Sequence, residues 1–356
     1  MHTSTAIPPD EPWTKPWPAG DMESVLHCPV CNETSRKLLH ADMVDNAFRV
    51  APGKWMLWKC AKCCSAYLDP RPTPDTIHRA YANYYTHNAA TSHAEDYKNL
   101  SFLRRLRRIA SNGYLNARYG TRRYPASIVG LWLAIMLPSV REKLDVEFRY
   151  LPIPLRGQRL LDIGCGSGNF LVSAREAGWQ VSGVEPDPEA ANVTRLLGVD
   201  VMVGTAELLD RESACFDAIT ISHVIEHVHS PRKLLADIYR LLKQNGVLYI
   251  ETPNIDSQWA KLFKKNWRGL ETPRHLVLFT QESLKDLILE LGFRKIEYIY
   301  RRDPQEHMYL SSMNLASNRL LNSTNIINLK WIERIKIWKS KNSKNKPEFI
   351  TLIIKK

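Results

Sequence analysis

A glycine-rich turn and an acidic residue downstream of it could form one ligand-binding site. An apolar strand predicted over residues 159–163 leads into the segment DIGCGSG, which runs from Asp162 to Gly168. The glycines permit a tight turn and let the backbone approach a ligand closely at the start of a helix. Asp162 would attract a cation such as an amino-acid ammonium group. Glu185, at the end of the next predicted strand, would accept hydrogen bonds from ribose hydroxyls.

Histidines in two other segments could accept a proton. The fourth predicted strand leads into SHVIEHVH, which contains His223 and His227, and the later segment TPRHL contains His275. Ligands of open α/β sheets bind at the carboxyl ends of the strands, and an imidazole can take a proton from a hydroxyl near neutral pH. His227, His275 and His223 are therefore candidate bases, unless each only caps a helix or positions a lid. The spacing of His223 and His227, with Glu226 nearby, also suits zinc, but the sequence shows no further ligand.

Four cysteines in two pairs have the pattern of a structural zinc site. Cys28 and Cys31 form one CxxC pair, and Cys60 and Cys63 form the other. Four thiolates in two such pairs suit tetrahedral Zn²⁺. Cys64 is a spare or a substitute for Cys63, and the alternative is a set of buried cysteines without metal. An odd total of seven cysteines, without a secretory signal, indicates a reducing compartment.

The elements that would position these residues alternate between strands and helices from residue 158 onward. Strands are predicted over 159–163, 180–184, 200–203, 216–221, 247–251, 293–300 and 349–354. Helices are predicted over 169–177, from 188, over 231–243 and over 281–291. This alternation predicts an α/β fold with a seven-stranded, mostly parallel sheet and helices on both faces.

The sequence divides into four regions. Residues 1–20, rich in Pro and Trp, are predicted to form a disordered or polyproline-II-like leader. Residues 21–75 are predicted to form a zinc-ribbon-like module, and 76–155 a basic helical bridge. The α/β domain then occupies 156–356, with an insertion over about 301–345.

Positive charge is concentrated outside the predicted sheet. The 356 residues carry a net charge of +12, with +9 in 98–156 and +8 in 301–356. Such a bias indicates an anionic partner, or else two solvated faces. Residues 128–137 and 325–339 mix apolar, aromatic and basic residues like helices at a membrane interface, or like core-packed helices with a basic outer face. The longest apolar run, 128–137, is shorter than the roughly 20 residues of a membrane span.

Several segments resemble a known enzyme family. DIGCGSG and VEPD resemble the cofactor site of class I S-adenosylmethionine (SAM)-dependent methyltransferases, which have a Rossmann-like fold. HVIEHV and PRHL resemble the branch that includes ubiquinone-biosynthesis O-methyltransferases and many sugar methyltransferases. The cysteine segments, CPVC and WKCAKCCSAYLDPRPTP, resemble the N-terminal zinc-binding part of deoxysugar C-methyltransferases.

The resemblance implies a cofactor, an acceptor and a set of binding residues. The cofactor is SAM, with a structural Zn²⁺ at the cysteines. The residues implied to bind SAM are Asp162, Gly164, Cys165, Gly166, Gly168, Glu185, Pro186, Ala206, Glu207, Ser222 and His223.

The expected reaction is methyl transfer to oxygen, or to carbon, of a small molecule or glycan such as a sugar, a sugar nucleotide or a lipid-linked sugar. We expect a cytoplasmic protein, with peripheral contact to an anionic membrane. The alternatives are an RNA methyltransferase that holds RNA with the zinc ribbon and the basic regions, and a non-catalytic SAM-binding scaffold. An RNA partner is less favoured because the sequence lacks an Asn/Asp-Pro-Pro-Tyr motif and because HVIEHV and PRHL favour small acceptors.

Overall fold

Short strands, a helical bridge and a long α/β series follow one another along the chain. The computed structural model describes residues 13, 15–81, 101–205, 209, 213–317, 331–342 and 346–356. Its strands are β1 (Met22–Glu23), β2 (Arg36–Met43), β3 (Trp55–Cys60), β4 (Ala66–Leu68), β5 (Arg71–Pro72), β6 (Arg159–Ile163), β7 (Gln180–Glu185), β8 (Asp200–Val203), β9 (Phe216–Ser222), β10 (Leu242–Pro253), β11 (Val277–Leu278), β12 (Lys295–Ile299) and β13 (Phe349–Lys355). Its α-helices are α1 (Phe102–Tyr119), α2 (Val129–Met136), α3 (Pro138–Glu147), α4 (Asn169–Glu176), α5 (Pro188–Leu196), α6 (Pro231–Leu241), α7 (Gln258–Phe263), α8 (Gln281–Glu290), α9 (Pro304–Ala316) and α10 (Trp331–Asn342).

The predicted seven-stranded, mostly parallel sheet is confirmed. Its spatial order is β12-β13-β10-β9-β6-β7-β8, and β13 runs antiparallel to both of its neighbours. The strands β10, β9, β6, β7 and β8 are parallel. The chain changes its direction of travel across the sheet at the neighbouring strands β6 and β9, so a ligand crevice is expected at their carboxyl ends. Asp162 and Ser222 lie on these two strands near that edge.

Among the elements with predicted bounds, strand β10 differs most from the prediction, and helix α6 before it is shorter than predicted. Helix α6 ends at Leu241, two residues earlier than predicted, because Leu242 takes an extended backbone and pairs with Phe216 of β9. Strand β10 therefore starts at Leu242 and runs to Pro253, with a register irregularity between Leu242 and Val247. The buried residues of α6, which include Leu234 and Ile238, are spaced three or four apart and pack on one face.

A four-stranded sheet joins the cysteine-bearing module to the α/β domain. Its order is β11-β4-β3-β2, and β11 comes from a segment about two hundred residues after β4. Val277 pairs with Tyr67, and Leu278 pairs with Ala66. Buried residues of both parts belong to one continuous hydrophobic cluster. The module is therefore packed into the α/β domain as part of its core.

The helical bridge is held together by close backbone contact. Gly113 of α1 faces Ser127, so a Cβ at Gly113 would lie 1.8 Å from the Ser127 carbonyl oxygen. A Cβ at Gly130 of α2 would lie equally close to the carbonyl oxygen of Ala110. Only glycine permits this approach, which fixes α2 against α1.

The part of the predicted disordered or polyproline-II-like leader that the structure describes is ordered by packing. Trp17 is 5% exposed and packs edge-on against Trp55, with ring centroids 5.5 Å apart. The amide of Gly53 donates a hydrogen bond to the carbonyl of Lys15. Burial of an indole contributes enough apolar area to order a short segment whose composition suggests disorder. Residues 1–12 and 14 of the predicted leader lie outside the described residues.

Candidate functional site

The glycine turn after β6 leaves open space above one of its glycines. Gly164, Gly166 and Gly168 all have positive φ, at 71°, 53° and 79°. A Cβ at Gly164 would meet Val224 at 2.5 Å, and one at Gly168 would meet Thr194 at 2.6 Å. A Cβ at Gly166 would meet no heavy atom within 4 Å. Gly164 and Gly168 are therefore required by packing, whereas the surface of Gly166 is accessible to a ligand.

Glu185 is buried at the end of β7 and is bonded to the glycine turn. One carboxylate oxygen accepts a hydrogen bond from the amide of Gly166 at 2.8 Å, and the other accepts one from the amide of Asp187 at 3.0 Å. Burial raises the pKa of Glu185, while these two backbone donors act in the opposite direction. Pro186, next in the chain, is exposed. Glu185 thus fixes the turn, and lone pairs of its carboxylate remain for a hydroxyl of a ligand.

Cys165 lies in the turn, but its side chain packs into the protein. It is 7% exposed, and its sulfur would lie 2.6 Å from a Cβ placed at Gly183 on β7. This contact explains why β7 has a glycine there. The thiol of Cys165 is therefore used for packing against β7.

Asp162 is completely buried and is paired with Arg149. Its Oδ1 accepts hydrogen bonds from Arg149 and, at 2.8 Å, from the hydroxyl of Thr220, whereas Oδ2 has no partner among the described residues. Burial raises the pKa of Asp162, against the attraction of the Arg149 guanidinium. The guanidinium also stacks over the ring of Phe170, 3.8 Å from its centroid. A cation therefore lies at Asp162, as its sequence position suggests, but it belongs to the chain itself.

A cavity of about 250 Å³ lies at the same edge of the sheet. Its lining includes Arg149, Phe170, Ser222, Tyr249 and Glu251. The predicted residue Ser222 thus borders the cavity at the carboxyl end of β9. Ala206 and Glu207, which were also predicted to bind the cofactor, lie outside the described residues.

His223 lies between two buried carboxylates. Its Nδ1 is 3.2 Å from Glu226, and its Nε2 is 3.3 Å from Glu251. Burial lowers the pKa of His223, but the hydrogen bonds and charges of the two carboxylates outweigh burial and raise the pKa to about 10. Both nitrogens of the imidazolium donate, so His223 has no lone pair to accept a proton at neutral pH. This geometry favours a positioning role for His223 over that of a base, and its predicted contact with the cofactor stays a prediction.

Arg301 completes this charged network. It pairs with Glu251, which also accepts hydrogen bonds from the hydroxyls of Tyr249 and Thr351, both at 3.0 Å. The charges of His223 and Arg301 hold the pKa of Glu251 well below its usual range despite burial. The network fixes the carboxyl ends of β9 and β10 relative to each other.

His227 has a ring nitrogen, Nε2, that forms no hydrogen bond with a described residue. Its Nδ1 lies 3.1 Å from the carbonyl oxygen of Arg274 and 2.9 Å from the hydroxyl of Tyr81. Because a carbonyl only accepts, Nδ1 carries the proton and Nε2 carries the lone pair. The side chain is partly exposed. His227 therefore has the tautomer and the accessibility of a general base.

His275 lies directly against His227 but is more deeply buried. The ring centroids are 4.6 Å apart, and His275 donates its Nδ1 proton to the carbonyl of Gly269 at 2.8 Å. Burial and the neighbouring His227 lower the pKa of His275 to about 4. Its imidazole therefore stays neutral, and it is a weaker base than an unperturbed histidine. Glu226, His227 and His275 each have one ligand-type atom within 4.8 Å of the others, a different set from the one that sequence spacing suggests for zinc.

The four predicted cysteines are brought together. The sulfur of Cys28 is 3.6 Å from that of Cys63, the sulfur of Cys31 is 3.5 Å from that of Cys60, and all four lie within 4.8 Å of one another. Tetrahedral Zn²⁺ with Zn–S bonds of about 2.3 Å would separate its sulfurs by roughly 3.8 Å. The cluster therefore has the size of a zinc site. Cys64 is exposed and is not part of it.

Two charged residues in and beside the site, Glu251 and Arg149, were missed by sequence reasoning. Glu251 lies at the carboxyl end of a parallel strand, and the rule that selects Asp162 and Glu185 would have selected it too. Arg149 precedes β6 outside any motif, and only the folded backbone brings it to Asp162.

Comparison with known proteins agrees with this geometry. A family model described as a methyltransferase domain matches residues 140–298. A ubiquinone biosynthesis O-methyltransferase of Methylocella silvestris is 30% identical, over 36% of this chain and 58% of its own length. One from Cereibacter sphaeroides is 30% identical, over 45% of this chain and 71% of its own length.

A crystal structure of a SAM-dependent methyltransferase from Archaeoglobus fulgidus aligns with a TM-score of 0.43 and 23% identity, over 64% of this chain and 99% of that one. The chain spans little more than half the length of the Methylocella relative. The Cereibacter relative, by contrast, is matched over more than two thirds of its length. With the glycine turn, Glu185 and the strand order described above, the match to the Cereibacter relative shows that the chain belongs to the class I SAM-dependent methyltransferases.

Proposed function

We propose that the chain transfers a methyl group from SAM to a hydroxyl oxygen of a small molecule. The observation that carries the proposal is the position of Gly166 at the switch point of the sheet. One face of Gly166 is open, and its backbone amide donates a hydrogen bond to Glu185. Glu185 would hold the ribose, while Gly166, Ser222 and the backbone of Cys165 would border the rest of the cofactor. SAM supplies the methyl group on a positively charged sulfur.

His227 would accept the proton of the acceptor hydroxyl. Its Nε2 has the lone pair, and Tyr81 and the carbonyl of Arg274 hold the ring from the other side. Tyr81 comes from the N-terminal part of the chain, so that part would form one wall of the acceptor site. His275 would act as a positioning residue, since its ring packs against His227.

The proposed acceptor is a small molecule, as the names of the curated relatives suggest. The test incubates the purified protein with methyl-labelled SAM and an extract of the source organism. The extract is then separated into water-soluble sugar, organic-soluble and RNA fractions. Label in either small-molecule fraction supports the proposal and distinguishes a sugar acceptor from a quinone-type one. Label in RNA alone, or SAM binding without transfer, would contradict it.

Replacing Gly166 by alanine should weaken SAM binding at least tenfold, because the new methyl group projects into the space proposed for the cofactor. Calorimetric titration with SAM measures the effect. Gly157→Ala is the matched control, because Gly157 also has a positive φ, of 86°, and a Cβ placed there would also meet nothing within 4 Å. Both variants should lose similar amounts of stability, and only Gly166→Ala should lose affinity. Equal affinity for SAM in the two variants would contradict the assignment.

We also propose that Cys28, Cys31, Cys60 and Cys63 bind one structural Zn²⁺. All four positions would be filled by thiolates, so the metal would stabilise the fold rather than take part in the reaction. Elemental analysis should find about one zinc per chain. Cys63→Ser should lower both zinc content and melting temperature, whereas the same change at the neighbouring, exposed Cys64 should leave them unchanged. A folded wild-type protein with less than about a tenth of that zinc would exclude the site.

A further inference from the structure

Large apolar side chains are exposed on one side of the helical bridge. Ile128, Trp132 and Met136 follow one another at intervals of four. Their side chains are 76%, 67% and 75% exposed. Residues four apart lie on the same side of a helix. Phe102 and Leu103, at the start of α1, are exposed to the same degree.

The opposite side of α2 is used for packing, so this orientation is fixed. Gly130 contacts the backbone of Ala110, and Ala134 is 3% exposed. The exposed row therefore cannot turn inward without separating α2 from α1. Soluble proteins seldom expose contiguous apolar surface of this kind unless it is an interaction site.

The charge beside the apolar row is all of one sign. Residues 102–137 contain seven arginines and no lysine, aspartate or glutamate. Arg123 pairs with Glu147 and Glu176, but Arg104 and Arg107 are exposed and form no ion pair with a described residue. This surface therefore combines exposed apolar side chains with two arginines, Arg104 and Arg107, that no acidic group among the described residues neutralises.

Helix α10 adds aromatic groups next to this region. Trp331 and Trp338 are 76% and 65% exposed. The hydroxyl of Tyr300 donates to the carbonyl of Ser340 in α10, and Tyr300 lines a cavity that also includes Leu131 of α2. Indole rings favour the boundary between lipid headgroups and acyl chains.

We infer that the basic apolar face, defined as Phe102, Leu103, Arg104, Arg107, Ile128, Trp132 and Met136, docks the protein onto an anionic lipid bilayer. The arginines would contact lipid phosphates, and the apolar side chains would enter the interfacial layer. No helix in the described part of the chain is long and apolar enough to span a bilayer.

Charge favours this partner over two others. A second copy of the chain would bring arginines against arginines on a symmetric face, and like charges at close range repel. RNA would neutralise the arginines but would leave the apolar row in water. An anionic bilayer would neutralise the arginines with its phosphates and would also remove the apolar row from water.

The test is flotation of the full-length protein with vesicles of phosphatidylglycerol and phosphatidylcholine in equal parts, against vesicles of phosphatidylcholine alone. The protein should float with the anionic vesicles only. Arg104→Gln/Arg107→Gln should lower the partition coefficient roughly tenfold or more, and Ile128→Ser/Trp132→Ser should do the same. The readout does not depend on turnover, so its result is separate from that of the proposed function.

Two control variants change similar groups elsewhere. Leu196→Ser removes an apolar side chain that is 88% exposed on α5, and Arg294→Gln/Lys295→Gln removes two exposed charges beside β12. Neither should alter flotation. The inference is overturned if the wild-type protein does not float, or if the controls lose binding as fully as the test variants. It is also overturned if the protein is a dimer that Ile128→Ser/Trp132→Ser converts to a monomer.

Discussion

Replacing His227 by asparagine is expected to lower kcat by about 10² to 10⁴, the usual contribution of a general base. The asparagine amide can still donate to the carbonyl of Arg274, so the hydrogen bond that orients the ring is preserved. Only the acceptor nitrogen, Nε2, is lost. The dissociation constant for SAM should stay within a factor of about two of the wild-type value, because the ring of His227 is not among the groups proposed to bind the cofactor.

Methyl transfer under single-turnover conditions measures this loss, and His229→Gln is the control. His229 lies two residues further along, and its Nε2 contacts the carbonyl of Pro72 at 2.9 Å rather than the His227–His275 pair. Glutamine can replace that contact, so turnover should be unchanged. If His227→Asn retained most of the wild-type kcat, the proton would have to leave by another route. His275→Gln would then be the next variant to test.

Replacing Asp45 by alanine is expected to lower the free energy of unfolding by about 3–5 kcal/mol, the range for loss of one partner from a buried ion pair. Asp45 and Arg274 are both completely buried, and their two hydrogen bonds are 3.0 and 2.9 Å long. Asp45 also accepts hydrogen bonds from the amides of Phe48, Val50 and Ala51. The variant leaves a buried guanidinium and three backbone amides without their acceptor.

This ion pair also connects stability with the site. Arg274 donates to Asp45 through its side chain, and its carbonyl accepts the proton of His227. Asp45→Asn, a milder change, should therefore lower kcat as well as stability. Arg274→Lys should also lower both stability and kcat, because an ammonium group cannot reproduce the two parallel hydrogen bonds of the guanidinium.

Denaturant unfolding measures the loss, with Glu290→Ala as the matched control. Glu290 forms an equally bidentate pair with Arg232, at 2.9 Å for both bonds, but on the exposed surface. Exposed pairs contribute little because water screens them and solvates the separated partners well. A similar loss in both variants would mean that burial does not determine the strength of the Asp45–Arg274 pair.

The site residues that could be predicted from the sequence are those whose positions depend on neighbouring elements along the chain. A strand, a glycine turn, a helix, a second strand and an acid lie within about 25 residues, so Asp162, Gly166 and Glu185 could be assigned to one edge of the sheet. The cysteine pairs have a spacing that metal geometry imposes. In both cases the pattern depends on neighbours along the chain.

The residues that could not be identified depend on contacts between distant segments. Arg149 lies between α3 and β6, 13 positions before Asp162, and only the folded backbone brings the two together. Asp45 meets Arg274 across 229 positions in the chain. The protonation of His223 depends on Glu251, which belongs to a different strand. In each of these cases the residue type is visible in the sequence, but its partner is not.

The pairing of β11 with β4 has a consequence for the order of events during translation. At the usual 5–20 residues per second, a ribosome needs about 10–40 s to progress from Leu68 to Val277. Throughout that interval one edge of β4 in the nascent chain lacks its partner strand, and an open edge can pair with other chains. The cysteine-bearing segment therefore emerges first but completes its sheet late, and the edge of β4 stays open to pairing with other chains until β11 arrives.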